Sequence, residues 1–243
     1  MRSSRTRRLV KLFLAGAVLA ALTGCSQHPP RYGTEEPMYL PLKRREVWAV
    51  APALNLSGQR EVDPLLQADL AFQQLQQVQG VTVVPVNRVA EVYAGLRIEQ
   101  VQSAEQAALV CDLLGCDALV VPTVTAYDPY DPPKLGASLQ VFGKPAAIQR
   151  PKNVSPRELT RQASPGQYDS LPPPQADFLQ VVGMFDAANG SVRQAMKDYA
   201  AGRNDPAGPL AADEYRLSMD RYGGFVYHEL IATLMSHPRL KRG

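Results

Sequence analysis

Histidine and cysteine are scarce in this chain of 243 residues, which contains three of each. The histidines are scattered, at His28, His228 and His237, and the cysteines are Cys25, Cys111 and Cys116. No histidine lies near Cys111 or Cys116, so the spacing of a metal-binding motif is missing. We therefore predict no metal site and no cofactor, and we interpret His228 as a packed or surface residue.

Motifs of common catalytic and nucleotide-binding sites are also missing. The chain has no Gly-x-Ser-x-Gly elbow, no glycine-rich phosphate loop and no basic patch with interleaved aromatic residues. Asp117 opens a buried strand, where a carboxylate could act as a base, but hydrogen bonding to backbone amides is the expected role in a turn. These absences predict a protein that is not an enzyme and binds no nucleic acid.

Acidic residues are missing from residues 1–24, which contain five basic residues and the apolar run Leu12–Leu22. This pattern indicates a secretory signal, whose apolar core is too short for an ordinary membrane span. Without residues 1–24 the chain has 21 basic and 23 acidic residues, a formal charge of −2. The excess of positive charge belongs to the signal and is no evidence for nucleic-acid binding.

The signal ends in Leu22-Thr23-Gly24-Cys25, which resembles the lipobox of bacterial lipoproteins. The resemblance implies cleavage before Cys25, a diacylglyceryl group on its sulfur and acylation of the new amino terminus. The three acyl chains that result exceed the roughly two anchoring signals that stable membrane attachment needs. Ser26 follows the cysteine, which by resemblance to the sorting rule of enteric bacteria favours the outer membrane, facing the periplasm. The alternative is an ordinary cleaved signal with an incidental cysteine.

The remaining 219 residues are enough for one well-buried domain with irregular segments. Residues 25–45 contain four prolines and the basic run Lys43–Arg45. They predict an extended, lipidated tether whose basic residues are solvated, the alternative being contact with anionic headgroups. Residues 46–243 are predicted to form a single α/β domain with a mixed sheet flanked by helices. Its insertion at 143–176 is rich in Pro, Ser, Gln and Arg, which predicts a disordered segment, either a mobile hairpin tip or a partner-binding arm.

The pattern that organises the domain is Ala104–Tyr127. Its first half has small and apolar residues at helical spacing, namely Ala104, Ala107, Ala108, Cys111 and Leu114. Gly115 follows as a helix stop, and the apolar run Ala118–Val121 predicts a strand that is covered on both faces. Pro122 is expected to mark an edge or a bulge, because proline cannot donate to the ladder.

Two strands and two helices are predicted upstream of this pattern. The strands are Glu46–Ala53, with Val47, Ala49 and Val50 in the core and Trp48 on the other face, and Val81–Val86.

Asp63 and Pro64 predict the cap and first residue of a helix to about Val78. Its buried stripe is expected to include Leu65, Ala68, Phe72 and Leu75. The glutamines Gln67, Gln73, Gln74, Gln76 and Gln77 are expected to face water, the alternative being a partner surface. Asn87 is expected to cap a short helix that Gly95 closes.

Two further strands and two helices are predicted downstream. Asp128–Pro133 is interpreted as a stiff turn rather than a calcium loop. Leu135–Phe142 and Phe178–Asp186 are predicted strands, the second burying either Phe178, Val182 and Met184 or the alternate set. Ser191 and Gln194 form a capping pattern for a helix to about Ala201. Leu210–Met235 is predicted as a helix with a core-facing stripe, and Gly223-Gly224 is where a kink or a break is expected.

The order of these elements brings out a resemblance to a known superfamily. Its marks are an apolar strand followed by Asn55, Ser57 and Gly58, then Val83–Arg88, Leu114–Val121, and Asp186 with Asn189-Gly190. The chain resembles the superfamily of the TolB amino-terminal domain, the curli secretion lipoprotein CsgG and the penicillin-binding-protein activator LpoB. The resemblance implies an anticodon-binding-domain-like fold in a periplasmic lipoprotein that works through protein contacts. Pro122, the long insertion and the missing turn threonine depart from that pattern.

Two groups of residues are candidate sites in the domain. Asn55, Ser57 and Gly58 form a possible ligand or partner loop, although turn chemistry explains them equally well. Cys111 and Cys116 flank the helix stop, and an exported protein meets an oxidising compartment. We interpret them as a possible disulfide, the alternative being two small buried thiols.

The sequence thus predicts a non-enzymatic, outer-membrane-anchored periplasmic lipoprotein. Its expected role is that of an adaptor or activator that contacts an envelope protein. The alternative is a module that binds a small molecule or a peptidoglycan fragment through the loop at Asn55–Gly58. The partner, the pathway and the oligomeric state stay open.

Overall fold

The computed structural model describes residues 37–42, 44–143, 178–204 and 208–240. Its strands are β1 (Glu46–Val50), β2 (Leu54–Asn55), β3 (Val81–Val84), β4 (Ala118–Asp128), β5 (Lys134–Gly143) and β6 (Phe178–Asp186). Its helices are α1 (Pro64–Leu75), α2 (Val86–Leu96), α3 (Ala104–Leu114), α4 (Gly190–Ala200), α5 (Glu214–Leu217) and α6 (Met219–Met235), and a 3-10 turn at Ala211–Asp213 precedes α5.

The strands form one mixed sheet in the order β3-β1-β4-β5-β6, with the short β2 paired to β4. β1 is parallel to both β3 and β4, whereas β4, β5 and β6 are antiparallel to one another. Parallel neighbours need helical crossovers, here α1 from β1 to β3 and α2 with α3 from β3 to β4. The predicted α/β class, a mixed sheet with flanking helices, is confirmed.

Both faces of the sheet carry a core, and side chains along β1 alternate between them. Trp48 and Val50 join the cluster under α1 and α6, whereas Ala49 and Ala51 join the cluster under α2 and α3. The prediction that Trp48 points away from Ala49 is confirmed, but Val50 shares the face of Trp48. Trp48 is only 1% exposed, because the second face is also covered by helices.

The predicted helix, turn and strand at Ala104–Tyr127 are confirmed. Ser103 caps α3, and Gly115 adopts φ +67°, the left-handed conformation that suits glycine. The expectation that Pro122 lies at an edge or a bulge is wrong, because Pro122 pairs with Leu139 in the middle of the long central strand β4.

The interval between β1 and β2 explains how the sheet accommodates Pro122. The carbonyls of Val120 and Val124 accept from the N–H groups of Ala51 and Leu56. Residue 122 has the same orientation as residues 120 and 124, so its missing N–H falls between β1 and β2, and no ladder bond is lost.

Helix α1 begins as predicted and buries Ala68 and Leu75 of the predicted stripe, but its buried face also includes glutamines. Asp63 caps it, with Oδ1 accepting from the N–H groups of Leu65 and Leu66 at 2.8 and 3.3 Å. The expectation that Gln67 and Gln74 face water is wrong, since they are 3% and 5% exposed, whereas Leu65 is half exposed. Helix α6 lies against this face and supplies a partner, because the Tyr227 hydroxyl donates to Gln67 Oε1 at 3.2 Å.

The C-terminal helical region is divided at Ser218 and not at the paired glycines. Ser218 is extended, with φ −109° and ψ 117°, and it caps α6, which continues through Gly223 and Gly224. A Cβ atom on Gly223 would lie 2.8 Å from Leu70 Cδ1. The glycine therefore permits the close approach of α6 to α1 rather than a kink.

The structure also decides between the two open alternatives for β6 and corrects the predicted limits of α2. On β6 the alternate set is buried, with Leu179 and Val181 in the core and Val182 and Met184 exposed. Helix α2 begins at Val86, directly after Pro85, and ends at Leu96, so Asn87 is not its cap. Gly95 lies inside α2, and Arg97 takes the left-handed conformation after it.

His228 packs at the ring of Tyr199, with ring centroids 4.8 Å apart. Burial, and then the positive charge of Arg203, lower the pKa of His228 to about 4. The imidazole is therefore neutral at pH 7, as expected for a packed residue.

We expect Tyr227→Phe to lower the free energy of unfolding by about 1–3 kcal/mol, because the buried Gln67 carbonyl loses its donor. Gln67→Leu should be destabilising for the reciprocal reason. The free energy of unfolding of the double variant should fall by less than the sum of the two single changes, because no buried polar group is then left without its hydrogen-bond partner. Denaturant unfolding measures all three.

Tyr222→Phe is the matched control for that series, since the buried Tyr222 hydroxyl has no hydrogen-bond partner among the described residues. It should change stability by less than about 0.5 kcal/mol. If the stability losses of Tyr227→Phe and Gln67→Leu add fully in the double variant, the hydrogen bond between Tyr227 and Gln67 is contradicted.

Acid should destabilise the domain through His228. Its folded pKa of about 4 lies below the ordinary value of 6.5, so the unfolded chain binds a proton more readily between these values. Stability is then full above about pH 6.5 and falls as the pH is lowered towards 4. Unfolding of the native chain and of His228→Gln at about pH 7 and pH 4.5 should show a weaker acid loss in the variant. His237→Gln serves as the control and should show most of the loss of stability that the native chain shows in acid. The same loss of stability in the native chain and in His228→Gln would refute the assignment.

Candidate functional site

The sheet has two ends that differ in what they carry. The tether end is formed by Arg44, Glu46 and Asp117, where β1 and β4 begin. The distal end is formed by the loop Asn55–Gly58 and by the turns at 129–133 and 187–189, where β4 and β6 finish. Along β4, from Ala118 to Asp128, the two ends are about 33 Å apart at 3.3 Å per residue.

At the tether end, the chain is attached to the domain by hydrogen bonds and ion pairs. Arg44 Nη2 lies 3.0 Å from Asp117 Oδ1 and 3.6 Å from Glu46 Oε1. Asp117 Oδ2 accepts from the N–H of Val47 at 2.9 Å, which confirms its predicted role as an acceptor for the backbone. The Arg44 side chain is 57% exposed, in agreement with the expected solvation, and it also binds the domain because two carboxylates lie within its reach.

Glu46 is the buried member of this group. Its Oε2 accepts from Trp48 Nε1 at 2.9 Å, and its residue is only 1% exposed. Residues 38–40 lie alongside Gln79, which donates to Met38 O at 2.8 Å and accepts from Leu40 N at 2.9 Å. The polar groups of the tether end are therefore used to fasten the incoming chain.

At the distal end, the predicted loop closes on itself. Asn55 Oδ1 accepts from Ser57 N at 3.1 Å and from Ser57 Oγ at 2.7 Å. Asn55 Nδ2 donates to Gln59 O at 2.7 Å, and Ser57 Oγ accepts from Gln59 N at 3.2 Å. Gly58 adopts φ +77° with open space around it. The two polar side chains are thus occupied by turn chemistry.

The same loop presents one apolar side chain outwards. Leu56 is 68% exposed, although its N–H is bound to Val124 O at 2.8 Å. Tyr130, in the next turn, is 76% exposed, and Leu65 and Leu66 are exposed at the start of α1, where Pro64 O accepts from Ala53 N. The distal end thus combines a rigid loop with several exposed apolar groups.

Charged groups at the distal end are mostly paired with one another. Lys134 Nζ lies 2.8 Å from Asp186 Oδ2, and this hydrogen bond is the first cause of the lowered pKa of Asp186. Arg216 binds Asp131 and lies 3.7 Å from Asp213. Because these charges are balanced locally, they leave the apolar side chains as the more distinctive surface feature.

Two clefts are formed by other described residues, and the loop Asn55–Gly58 lines neither of them. One has a volume of about 660 Å³ and lies beside the start of α4, lined by Asp131, Arg193, Gln194, Lys197, Asp213 and Arg216 among others. The other, of about 590 Å³, lies between α1 and α2 and is mainly apolar, lined by Leu65, Phe72, Pro85 and Val86 with Asp69 and Glu91 at its edge. Both are within the size range of small-molecule sites.

Cys111 and Cys116 lie beside each other at the end of α3, on the tether side of the sheet. Neither forms a disulfide in the structure; Cys111 is buried and Cys116 is half-buried. Their backbones are joined, because Cys116 N donates to Cys111 O at 2.9 Å. The proximity that the sequence suggested is present, and the disulfide stays a prediction.

Other predicted features lie outside the described residues, including Cys25 and residues 144–176 of the predicted insertion 143–176, whereas Gly143 is the last residue of β5. Within residues 37–42, 44–143, 178–204 and 208–240, no three or more histidine, cysteine or acidic side chains are grouped so as to hold a metal ion. No helix in those ranges has the length and apolarity to cross a membrane.

Sequence reasoning found the loop but missed Leu56 as its exposed group. The available signal was an apolar residue between Asn55 and Ser57, two residues whose side chains favour turns. In such a turn, an apolar residue between the two hydrogen-bonding side chains is directed to solvent. The attachment of Arg44 to Asp117 was also missed, since these residues are 73 positions apart.

No family model matches the chain, and no curated protein matches it. Among solved structures, lipoprotein GNA1162 from Neisseria meningitidis is similar, with 15% identity, coverage of 79% of this chain and 99% of that one, and a TM-score of 0.38. The PelC dodecamer from Paraburkholderia phytofirmans has 8% identity, coverage of 81% and 91%, and a TM-score of 0.35. Protein CT253 from Chlamydia trachomatis has 14% identity, coverage of 79% and 96%, and a TM-score of 0.37. Likenesses of this size do not assign the chain to a family.

Proposed function

We propose that this chain is a lipid-anchored envelope protein that binds a protein partner through its distal end and performs no catalysis. Cys25, at the end of a basic and apolar signal, supplies the anchor. The observation that carries the adaptor role is Leu56, 68% exposed on a loop whose polar side chains bind each other.

The loop favours a protein partner over a small polar ligand. A polar ligand at Asn55 and Ser57 has to replace hydrogen bonds of 2.7–3.1 Å that already exist. A partner that covers Leu56 does not have to replace any hydrogen bond of its side chain, because that side chain is apolar and its burial removes it from water. A rigid exposed apolar group is the kind of anchor that fills a pocket at the centre of a protein interface.

The position of the loop is consistent with reaching a partner away from the lipid. The chain enters the domain at the tether end, about 33 Å along β4 from the distal end. From Cys25 to Pro37 there are 12 residues, which span at most about 40 Å. The distal end is therefore directed away from the point where the anchored segment joins the domain.

A second candidate function is the binding of an anionic small molecule, such as a peptidoglycan fragment. It is favoured by the cleft of about 660 Å³ beside α4, where Arg193 and Lys197 are exposed. Neither has an acidic partner within ion-pair distance among the described residues. Thermal-shift measurements with muropeptides and neutral sugars separate the two functions, because only this candidate predicts stabilisation by muropeptides that Lys197→Glu abolishes.

The partner surface can be tested by recovering envelope proteins after crosslinking. Leu56→Asp should weaken capture of the partner about 30-fold, as expected for a loss of about 2 kcal/mol at a central anchor. The matched control is Leu113→Asp, because Leu113 is 57% exposed at the end of α3, on the tether side of the sheet. Equal recovery from the native chain and from Leu56→Asp would remove the distal end as the interface.

The anchor is tested separately by labelling cells with a clickable palmitate. The native chain should take up label and fractionate with membranes, and Cys25→Ala should do neither, because the acyl chains supply the membrane affinity. Cys111→Ala is the control and should keep the label. A native chain that stays unlabelled and fractionates as soluble protein would overturn the anchored assignment.

A further inference from the structure

The end of α3 joins its two cysteines through a specific hydrogen-bond motif. Cys116 N donates to Cys111 O at 2.9 Å, and Gly115 N donates to Asp112 O at 3.4 Å. With Gly115 in the left-handed conformation, these two bonds form a Schellman motif. A contact between the side chains of the first and last of these residues, here Cys111 and Cys116, frequently accompanies the motif.

The thiols themselves interact across this motif. The Cys111 thiol forms a hydrogen bond with the Cys116 sulfur, and this bond is the first cause of the lowered pKa of Cys116. Burial and the nearby Asp117 and Asp112 act in the opposite direction. Cys111 is 2% exposed within the cluster under α3, whereas Cys116 is half-buried. One sulfur is therefore accessible and the other lies behind it.

The helix stop itself does not require cysteine at either position. Gly115 provides the left-handed residue, and the contact between the flanking side chains needs only apolar groups. Two thiols in contact, one of them accessible, are the arrangement that thiol–disulfide exchange requires. The geometry is local to residues 111–116, so it holds whichever partner the distal end binds.

We propose that Cys111 and Cys116 are a redox modification site that forms an intramolecular disulfide by exchange with a disulfide-bearing oxidant, either a protein disulfide or oxidised glutathione. The Cys116 thiolate attacks the oxidant, forms a mixed disulfide and releases one oxidant thiol. Cys111, after losing its proton, attacks the Cys116 sulfur and expels the second thiol. Two protein thiols are oxidised, and one oxidant disulfide is reduced to two thiols.

The bridge would tie the last turn of α3 to the start of β4. Asp117 follows Cys116 directly and holds both the N–H of Val47 and the Arg44 side chain. The disulfide therefore stabilises the corner next to the entry of the tether. Because the closed loop is short, its effect on global stability is modest.

The test is a mass measurement on the full chain in membranes, with thiols blocked by N-ethylmaleimide before any reductant is added. Trypsin releases Ile98–Lys134 as one peptide that contains both cysteines and excludes Cys25. We expect this peptide to be lighter by two hydrogen atoms than its reduced form and to carry no maleimide. A peptide carrying two maleimide groups would overturn the proposal, and it would leave lipid attachment at Cys25 unaffected.

The order of attack is tested with oxidised glutathione on the reduced, detergent-extracted full chain. Cys111→Ala should retain glutathione at Cys116, whereas Cys116→Ala should stay unmodified because Cys111 is buried. In the native chain, oxidation should raise the Tm by about 2–6 °C, a shift that the variant lacking both thiols should not show. Glutathione retained on Cys111 but not on Cys116 would refute the order, and an oxidised native chain without the disulfide would refute the site.

Discussion

The described domain is arranged around the backbone hydrogen bonding of β4, which has neighbours on both sides. β1 and β2 pair with one side of β4, and β5 pairs with the other from Ala118 to Asp128. Its first seven residues are buried, and a strand segment covered on both faces favours small and branched apolar residues. The run Ala118–Val121 meets this condition, and Pro122 is tolerated because its missing N–H faces the interval between β1 and β2.

The direction of β4 also divides the molecule into two ends with different chemistry. At the tether end, Asp117 and Glu46 use their carboxylates to hold Arg44, Val47 and Trp48. At the distal end the loops close on themselves, and apolar side chains such as Leu56 and Tyr130 remain exposed. Under the proposed function, attachment and recognition belong to opposite ends of this strand.

Helix limits and strands that depend on local chemistry were predictable. Asp63 and Pro64 start α1, and Gly115 ends α3, because capping and left-handed backbone are decided within a few residues. The buried face of α1 was not predictable in the same way. Gln67 and Gln74 look like solvated residues in the sequence, but the Tyr227 hydroxyl, 160 positions away, compensates the burial of Gln67. The break at Ser218 was missed because the adjacent glycines looked like the weaker point, whereas their lack of side chains serves close packing of α6 on α1.

The sequence by itself determined the class of fold and the positions of the loop at Asn55–Gly58 and of the two cysteines at the end of α3, because each of these depends on residues close together in the chain. The signal at residues 1–24 stays a prediction. Tertiary structure alone decided which residues meet across long distances, namely Arg44 with Asp117 and Tyr227 with Gln67. These outcomes depend on which elements pack together and at which end of the sheet, and local propensity contains no information about that choice.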